Sequence, residues 1–268
     1  MEKIAILNLN SDNIKMQFVN VNKNKSFSPY KSVEMPISLT KDFYSDNFIK
    51  TAVSKEILSI VKVYKKMADK ENIKETLCFA APIFREAKNN NGVLNEILNA
   101  TGFEFKIVGE QDEVMYTYTA IINTFNKPKG LIVGINSFTT FFIMYNRRNI
   151  IETKYIPVGY ETLYNKYFDA SKTSEQFCKE IKKEFLSLVK GCDFIRELPE
   201  EFEVIGTGNM FLNLGALGRK ARKYSLALSH NYPVTKEDFK KVFALLKGQD
   251  LRTYYQFQSL QILQEVLL

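Results

Sequence analysis

The sequence predicts an α/β protein of two duplicated lobes, each a mixed sheet flanked by helices, with an interlobe cleft. Two observations predict this class. A strand-rich start followed by helix–strand alternation, in a βββαβα-like order, occurs twice along the chain. The two copies separate near residues 126–130 (NKPKG), a stretch typical of a connection. We therefore expect an N-terminal lobe over residues 1–125 and a C-terminal lobe over residues 126–268.

The first copy opens with residues 3–9 (KIAILNL), whose alternating apolar side chains are typical of a strand. Apolar side chains at helical spacing then alternate with short apolar runs. The predicted elements are strands at 3–9, 16–21, 32–39, 77–81 and 105–108, and helices at about 54–67, 90–100 and 111–125.

The second copy restarts at residues 130–135 (GLIVGI) and again places three strands before its helices. Its last helix is expected to pack back on the first lobe. The predicted elements are strands at 130–135, 138–146, 149–157 and 202–206, and helices at about 160–168, 174–190, 235–247 and 250–267, with another directly after residue 208.

Composition narrows the function classes. A net charge of +7 and a pI of about 9.0 suit either a polyanionic partner or an ordinary mildly basic protein. Three widely spaced cysteines favour a reducing cytoplasm, and His230 alone excludes a His-rich metal cluster. No apolar run is long enough for a membrane span, and no nucleic-acid-binding signature is present.

Four segments match the motifs of one known protein family in the same order and at similar intervals. They are residues 8–13 (NLNSDN), 81–89 (APIFREAKN), 108–113 (VGEQDE) and 131–141 (LIVGINSFTTF). They align with D-x-G-S-N-S, T-S-A-x-R-E-A-x-N, I-S-G-x-E-E-A and L-V-I-D-I-G-G-G-S-T-E. The chain therefore resembles the exopolyphosphatase / guanosine pentaphosphate phosphohydrolase (Ppx/GppA) family of the actin–hexokinase–Hsp70 superfamily. The resemblance implies actin-like (ribonuclease H-like) lobes and a phosphate-binding cleft.

The resemblance also implies site residues. Arg85 would meet phosphate as a forked, permanently charged donor. The general base falls on Asp112 by ungapped alignment, or on Glu113 after a slip of one residue. The remaining phosphate-binding candidates lie in three loops: Ser11, Asn136, Ser137, Thr139, Gly206, Thr207 and Gly208.

Each assignment has a structural alternative. Arg85 could pair with Glu86 or a surface carboxylate. Residues 8–13 could form an ordinary hairpin turn, and the helix dipole alone accounts for acids at 112 and 113. The glycines at 206 and 208 could simply end a strand, although a turn leading into a helix also suits an anion.

The chain departs from the family where the metal should bind. The two acids of the motifs read Asn8 and Gly134, and the closing glutamate reads Phe141. The three loop glycines read Asn136, Ser137 and Phe138, of which the first two can populate a tight turn and the third is bulky where a phosphate oxygen would lie. The sequence pattern favours Phe138 and Phe141 as strand residues packed on the core. Mg²⁺ needs anionic oxygen ligands, so no metal ligand is predicted, and Mg²⁺ is expected as a cofactor only if the protein is active.

These losses predict a catalytically impaired homologue that keeps a binding cleft for polyphosphate, guanosine polyphosphate or phosphate. The rival enzyme hypothesis is an active, metal-dependent exopolyphosphatase or pppGpp phosphohydrolase that releases terminal phosphate. A sugar- or acetate-kinase-like enzyme and a nucleic-acid-binding module are weaker alternatives. No membrane partner is expected, and a homodimer stays open as an assembly.

Overall fold

The structure, a computed structural model, describes residues 2–40, 43–167, 169, 171, 174–224 and 230–246. The chain divides into two compact units between Glu110 and Gln111. Within the described ranges, no helix is both long enough and apolar enough to cross a bilayer.

The first unit is built on a mixed sheet in the order β3-β2-β1-β4-β5. β1 runs antiparallel to β2 and parallel to β4, β2 runs antiparallel to β3, and β4 runs parallel to β5. Its elements are β1 (Glu2–Leu9), β2 (Asn13–Val21), β3 (Phe27–Pro36), a 3-10 turn (Phe43–Ser45), α1 (Thr51–Lys70), β4 (Glu75–Ala80), α2 (Ile83–Glu86), α3 (Asn90–Thr101) and β5 (Phe105–Ile107).

Helix α1 forms much of this unit's core. Ile57 and Val61 lie one turn apart on the same face and are fully buried, as helical periodicity requires. Tyr64, on the next turn, donates a hydrogen bond of 2.9 Å from its hydroxyl to the carbonyl oxygen of Ile14 in β2. This bond satisfies a buried hydroxyl and ties the helix to the sheet.

The second unit holds a four-stranded mixed sheet in the order β8-β7-β6-β9. β6 runs antiparallel to β7 and parallel to β9, and β7 runs antiparallel to β8. Its described elements are α4 (Glu110–Thr124), β6 (Lys129–Ile135), β7 (Thr140–Asn146), β8 (Asn149–Ile156), α5 (Tyr160–Tyr167), α6 (Ser174–Leu188), α7 (Asp193–Arg196), β9 (Glu203–Thr207), α8 (Asn209–Ala221) and α9 (Lys236–Leu246).

Helices cover both faces of this second sheet. On one face, Val114, Tyr118 and Ile121 of α4 belong to an apolar cluster with side chains of β6 and β7. On the other face, Leu131 and Val133 cluster with side chains of α5, α6, α8 and α9. Strands β6 and β7 are therefore apolar on both sides, which explains their nearly continuous hydrophobic runs, whereas β8 and β9 are largely exposed.

The described elements confirm the α/β class with two mixed sheets flanked by helices. In the first unit three antiparallel strands come first, and in the second unit three antiparallel strands follow α4. In both units a parallel strand then joins the first of the three after at least one helix. The predicted helix at 250–267 lies outside the described residues. The chain divides into its compact units at 110/111 because α4 packs on the second sheet, and the lobe boundary at 125/126 stays a prediction.

Strand β3 differs from its prediction, since it spans Phe27–Pro36 and not 32–39. It lies at the sheet edge, where Pro29 is tolerated because a proline there removes no interior ladder bond. The short helices α2 and α7 were not predicted. Both are a single turn of four residues, too short for a periodic apolar pattern.

Candidate functional site

The first candidate loop, between β1 and β2, is a hairpin turn. The amide of Asn10 donates to the carbonyl of Asn13 at 2.9 Å, and their side chains are joined by a bond of 2.6 Å. The carbonyls of Ser11 and Asp12 accept bonds from the backbone amides of Leu39 and Ile37. The alternative of an Asn/Asp/Ser hairpin turn therefore describes the backbone, and a phosphate contact of Ser11 stays a prediction.

Arg85 lies in the single turn of α2, directly after β4, and is half-buried. Its Nη1 donates a hydrogen bond of 2.9 Å to the carbonyl oxygen of Val108, just beyond β5. The segment is also fixed by Asn89, whose side chain makes two bonds of 2.9 Å with the backbone of Ile49. The arginine is thus oriented by a carbonyl of its own unit, a contact that neither sequence interpretation included. Its phosphate role stays a prediction.

In the second unit, three neutral donors converge on the carboxylate of Glu113, in the first turn of α4. Its Oε1 accepts from Asn136 Nδ2 at 2.8 Å and from the hydroxyl of Thr139 at 2.9 Å. Its Oε2 accepts from the hydroxyl of Tyr155 at 3.0 Å. Asp112, the other candidate base, is half-buried one residue earlier.

The turn at residues 136–139, between β6 and β7, is packed from both sides. The amide of Asn136 donates to the carbonyl of Thr139 at 2.8 Å, which closes the turn. The carbonyls of Asn136 and Ser137 each accept a 3.1 Å bond from the first amides of α5, those of Tyr160 and Glu161. The first amides of α5 therefore donate to carbonyl oxygens of the chain. At a helix N-terminus such amides could otherwise bind an anion.

The side chain of Ser137 contacts helix α5. Its hydroxyl shares a buried hydrogen bond of 2.9 Å with the hydroxyl of Tyr160. Phe138 is also buried. Of the three predicted phosphate-binding residues in this turn, Asn136 and Thr139 thus contact the candidate base, and Ser137 contacts α5.

Gly134 and Phe141 are direct cross-strand partners in β6 and β7. The phenyl ring covers the glycine so closely that a Cβ added at Gly134 would lie 2.1 Å from the ring. Phe141 is 1% exposed, so its side chain is fully buried in the core. The two motif positions that should carry acids are therefore one apolar contact, as the sequence alternative of a core role for Phe141 anticipated.

This donor set does not fit Mg²⁺, which requires anionic oxygen ligands. Gly134 and Phe141 supply no ligand oxygen, and Glu113 is engaged by three donors. Over the described ranges, no group of three or more His, Cys, Asp or Glu side chains is arranged to hold a metal.

The distal loop at residues 206–208 connects β9 to α8 and packs against the 136–139 turn. Gly208 has a φ of +96°, and a Cβ there would lie 2.7 Å from Asn136 Oδ1 and 2.9 Å from the carbonyl of Ile135. A glycine is thus required for backbone conformation and for packing. Gly206 is covered by the ring of Phe211. Anion binding by Gly206, Thr207 and Gly208 stays a prediction.

The structure therefore brings Glu113, Asn136, Thr139 and Gly208 together in the second unit, and it places Ser11 and Arg85 in the first. Sequence reasoning missed Tyr155. It lies in β8 outside every motif, and only the β7–β8 pairing, which sets it opposite Phe141, reveals that it adjoins this cluster.

Comparison with protein families and curated proteins gives three matches. The model of the Ppx/GppA phosphatase family matches residues 19–264. The bifunctional 3-dehydroquinate synthase/phosphatase of Fusobacterium nucleatum subsp. nucleatum is 23% identical over 212 residues, 76% of this chain and 31% of that protein. Retrograde regulation protein 2 of Saccharomyces cerevisiae is 27% identical over 90 residues, 33% of this chain and 15% of that protein. The matched part of the chain thus spans less than a third of either relative.

Solved structures show the same fold. An exopolyphosphatase from Cytophaga hutchinsonii superposes with a TM-score of 0.84 at 12% identity, covering 98% of this chain and 89% of that one. The Ppx/GppA family member of Aquifex aeolicus gives 0.74 at 17% identity, covering 98% and 91%. At these identities, the likeness shows that the chain shares the fold of these structures.

Proposed function

This chain belongs to the Ppx/GppA phosphatase family, and we propose that it is a catalytically impaired member. It binds polyphosphate, a guanosine polyphosphate or phosphate, and it does not hydrolyse them at an enzymatic rate. The observation that carries the proposal is the Gly134–Phe141 contact. A buried phenyl ring fills the space at two positions where the family motif has acids.

The chain lacks charged groups that phosphoryl transfer requires. Phosphoryl transfer depends on metal ions that bridge phosphate oxygens and on anionic groups that hold those ions. Here Asn8 supplies a neutral amide, Gly134 has no side chain, and Phe141 supplies no oxygen. Losing one such electrostatic contact typically lowers kcat by about 10²–10³. Several losses together leave little rate enhancement, although such effects are not additive.

The surroundings of Glu113 support the same proposal. An ionised carboxylate has roughly four lone-pair positions, and three of them accept bonds from Asn136, Thr139 and Tyr155. A general base must direct a lone pair at the attacking water and must face a positioned phosphoryl group. The observed contacts hold the carboxylate as an acceptor for the protein itself.

The alternative is an active phosphoanhydride hydrolase, the activity that the family suggests. One observation favours it: a carboxylate survives at the start of α4 in a fixed orientation. An orienting hydrogen-bond network is also what a base requires. Turnover measurements separate the two hypotheses.

Ligand binding without ligand consumption is the expected behaviour of the purified protein. Calorimetric titration with polyphosphate or pppGpp should give a saturable heat, and the ligand recovered afterwards should be intact by chromatography. Arg85→Ala should weaken binding by about 1.5–3 kcal/mol, roughly 10- to 150-fold in Kd, because it removes a charged donor.

The matched control is Lys88→Ala, which removes an exposed positive charge three residues away. It should change Kd much less than Arg85→Ala. Thermal unfolding of both variants shows whether the fold survives the loss of the Val108 bond. No saturable binding of any of these ligands by the wild type would contradict the binding half of the proposal. Equal Kd values for wild type and Arg85→Ala would make Arg85 structural.

A further inference from the structure

We infer that Asn136, Thr139 and Tyr155 form a site for a small oxyanion, and that its occupant is the chain's own Glu113 carboxylate. The inference deepens the proposed function and rests on it: the phosphate-loop residues of the second unit are engaged internally. An external anion would have to displace the Glu113 carboxylate before reaching these donors.

The geometry is that of an anion site built by the sheet. The donors come from three places, the end of β6, the residue before β7 and the end of β8. Two donors meet Oε1 and the third meets Oε2, at 2.8, 2.9 and 3.0 Å. Donors on both oxygens match a planar carboxylate, since each oxygen accepts in the carboxylate plane.

Because these donors are buried or half-buried, they need the Glu113 carboxylate as their hydrogen-bond acceptor. Thr139 is 1% exposed, and Asn136 and Tyr155 are half-buried. A buried hydroxyl that loses its acceptor is left with an uncompensated desolvation penalty. Removing the Glu113 side chain therefore leaves a vacancy lined by three convergent donors, a site that favours a small anion.

Cross-strand packing fills the sheet next to this site. Tyr155 is the cross-strand partner of Phe141, which in turn covers Gly134. Within the site, Asn136 Nδ2 also lies 3.4 Å from the Thr139 hydroxyl oxygen, so a vacancy would leave these two donors in weak contact with each other. A formate or acetate ion matches the carboxylate removed, and inorganic phosphate tests whether the vacancy also accepts a tetrahedral anion.

Anion rescue of Glu113→Ala tests the inference. The variant loses three hydrogen bonds to a charged group, so it should unfold at a Tm at least about 4–8 °C below that of wild type. Sodium formate should raise its Tm saturably, while sodium chloride of equal ionic strength should not, and formate should leave wild type at its chloride value. Glu113→Gln, whose side chain still fills the site, should show no rescue.

The donors provide the control. In Glu113→Ala/Tyr155→Phe and Glu113→Ala/Thr139→Val the formate effect should largely disappear. Equal formate effects on wild type and Glu113→Ala, or rescue that persists in both double variants, would overturn the inference. If Glu113→Ala accumulates unfolded, formate should recover folded protein, and failure to do so counts against it. The readout is stability, so hydrolysis by wild type would defeat the proposed function without mimicking either result.

Discussion

Gly134→Asp alone is expected to destabilise the second unit by more than about 4 kcal/mol, an unusually large cost for one substitution. The new Cβ would lie 2.1 Å from the Phe141 ring, which is buried and cannot swing into solvent. Overpacking of this kind typically costs about 1–3 kcal/mol, and a buried carboxylate without a partner adds to it. Urea unfolding of the variant beside wild type measures the loss.

Phe141→Ala supplies the matched background for this substitution. It should itself cost about 3–5 kcal/mol through the cavity it leaves. The double variant Gly134→Asp/Phe141→Ala should then be clearly less destabilised than the sum of the two single changes, because the aspartate enters the space vacated by the ring. Additive losses, or a Gly134→Asp protein as stable as wild type, would show that the ring does not occupy the acid's position.

Asp238→Ala should be the second large effect, at about 3 kcal/mol. Asp238 is 1% exposed and accepts from Arg222 Nε at 2.6 Å and from the amide and hydroxyl of Thr235 at 2.8 and 3.0 Å. It thereby joins α8 to α9 and completes a capping box at the α9 N-terminus. Hydrogen bonds to a charged group contribute about 1.5–3 kcal/mol and a cap about 0.5–2 kcal/mol.

The same contacts set a pH dependence. Burial alone would raise the pKa of Asp238, but hydrogen bonds from the Thr235 amide, Arg222 and the Thr235 hydroxyl hold it below its ordinary value of 3.8. The stabilisation is therefore complete above pH 3.8 and is lost as pH falls through the lower native pKa. Denaturant unfolding of wild type and Asp238→Asn should differ at neutral pH and converge in acid. Lys220→Ala, an exposed change on α8, should differ little from wild type at either pH, and a gap that persists in acid would exclude the carboxylate as its source.

Much of the fold was predictable because its signals are local. Alternating side chains in residues 3–9 and the apolar run at 130–135 are sufficient to predict strands, and Asn126–Gly130 marks a connection. The boundary between the compact units was not predictable from such signals. It depends on which sheet α4 packs against, and an amphipathic helix does not specify its partner.

The sequence predicted which residues belong to the candidate site better than it predicted the contacts among them. Motif order pointed to Glu113, Asn136 and Thr139, yet not to the bonds among them. Those bonds follow from strand register, which also sets Phe141 over Gly134 seven residues away and brings Tyr155 beside them. A motif comparison treats the lost acids at 134 and 141 as two events, whereas the structure makes them one packing contact.

The most direct test of impaired catalysis is the initial rate of phosphate release from polyphosphate and from pppGpp as Mg²⁺ is increased. Wild type should be assayed beside Glu113→Gln, with an active exopolyphosphatase as the positive control. Wild type should stay at least about 10³-fold below the usual 1–10³ s⁻¹ and should equal Glu113→Gln at every Mg²⁺ concentration. Mg²⁺-dependent turnover in the usual range that disappears in Glu113→Gln would contradict the proposal and establish an active hydrolase.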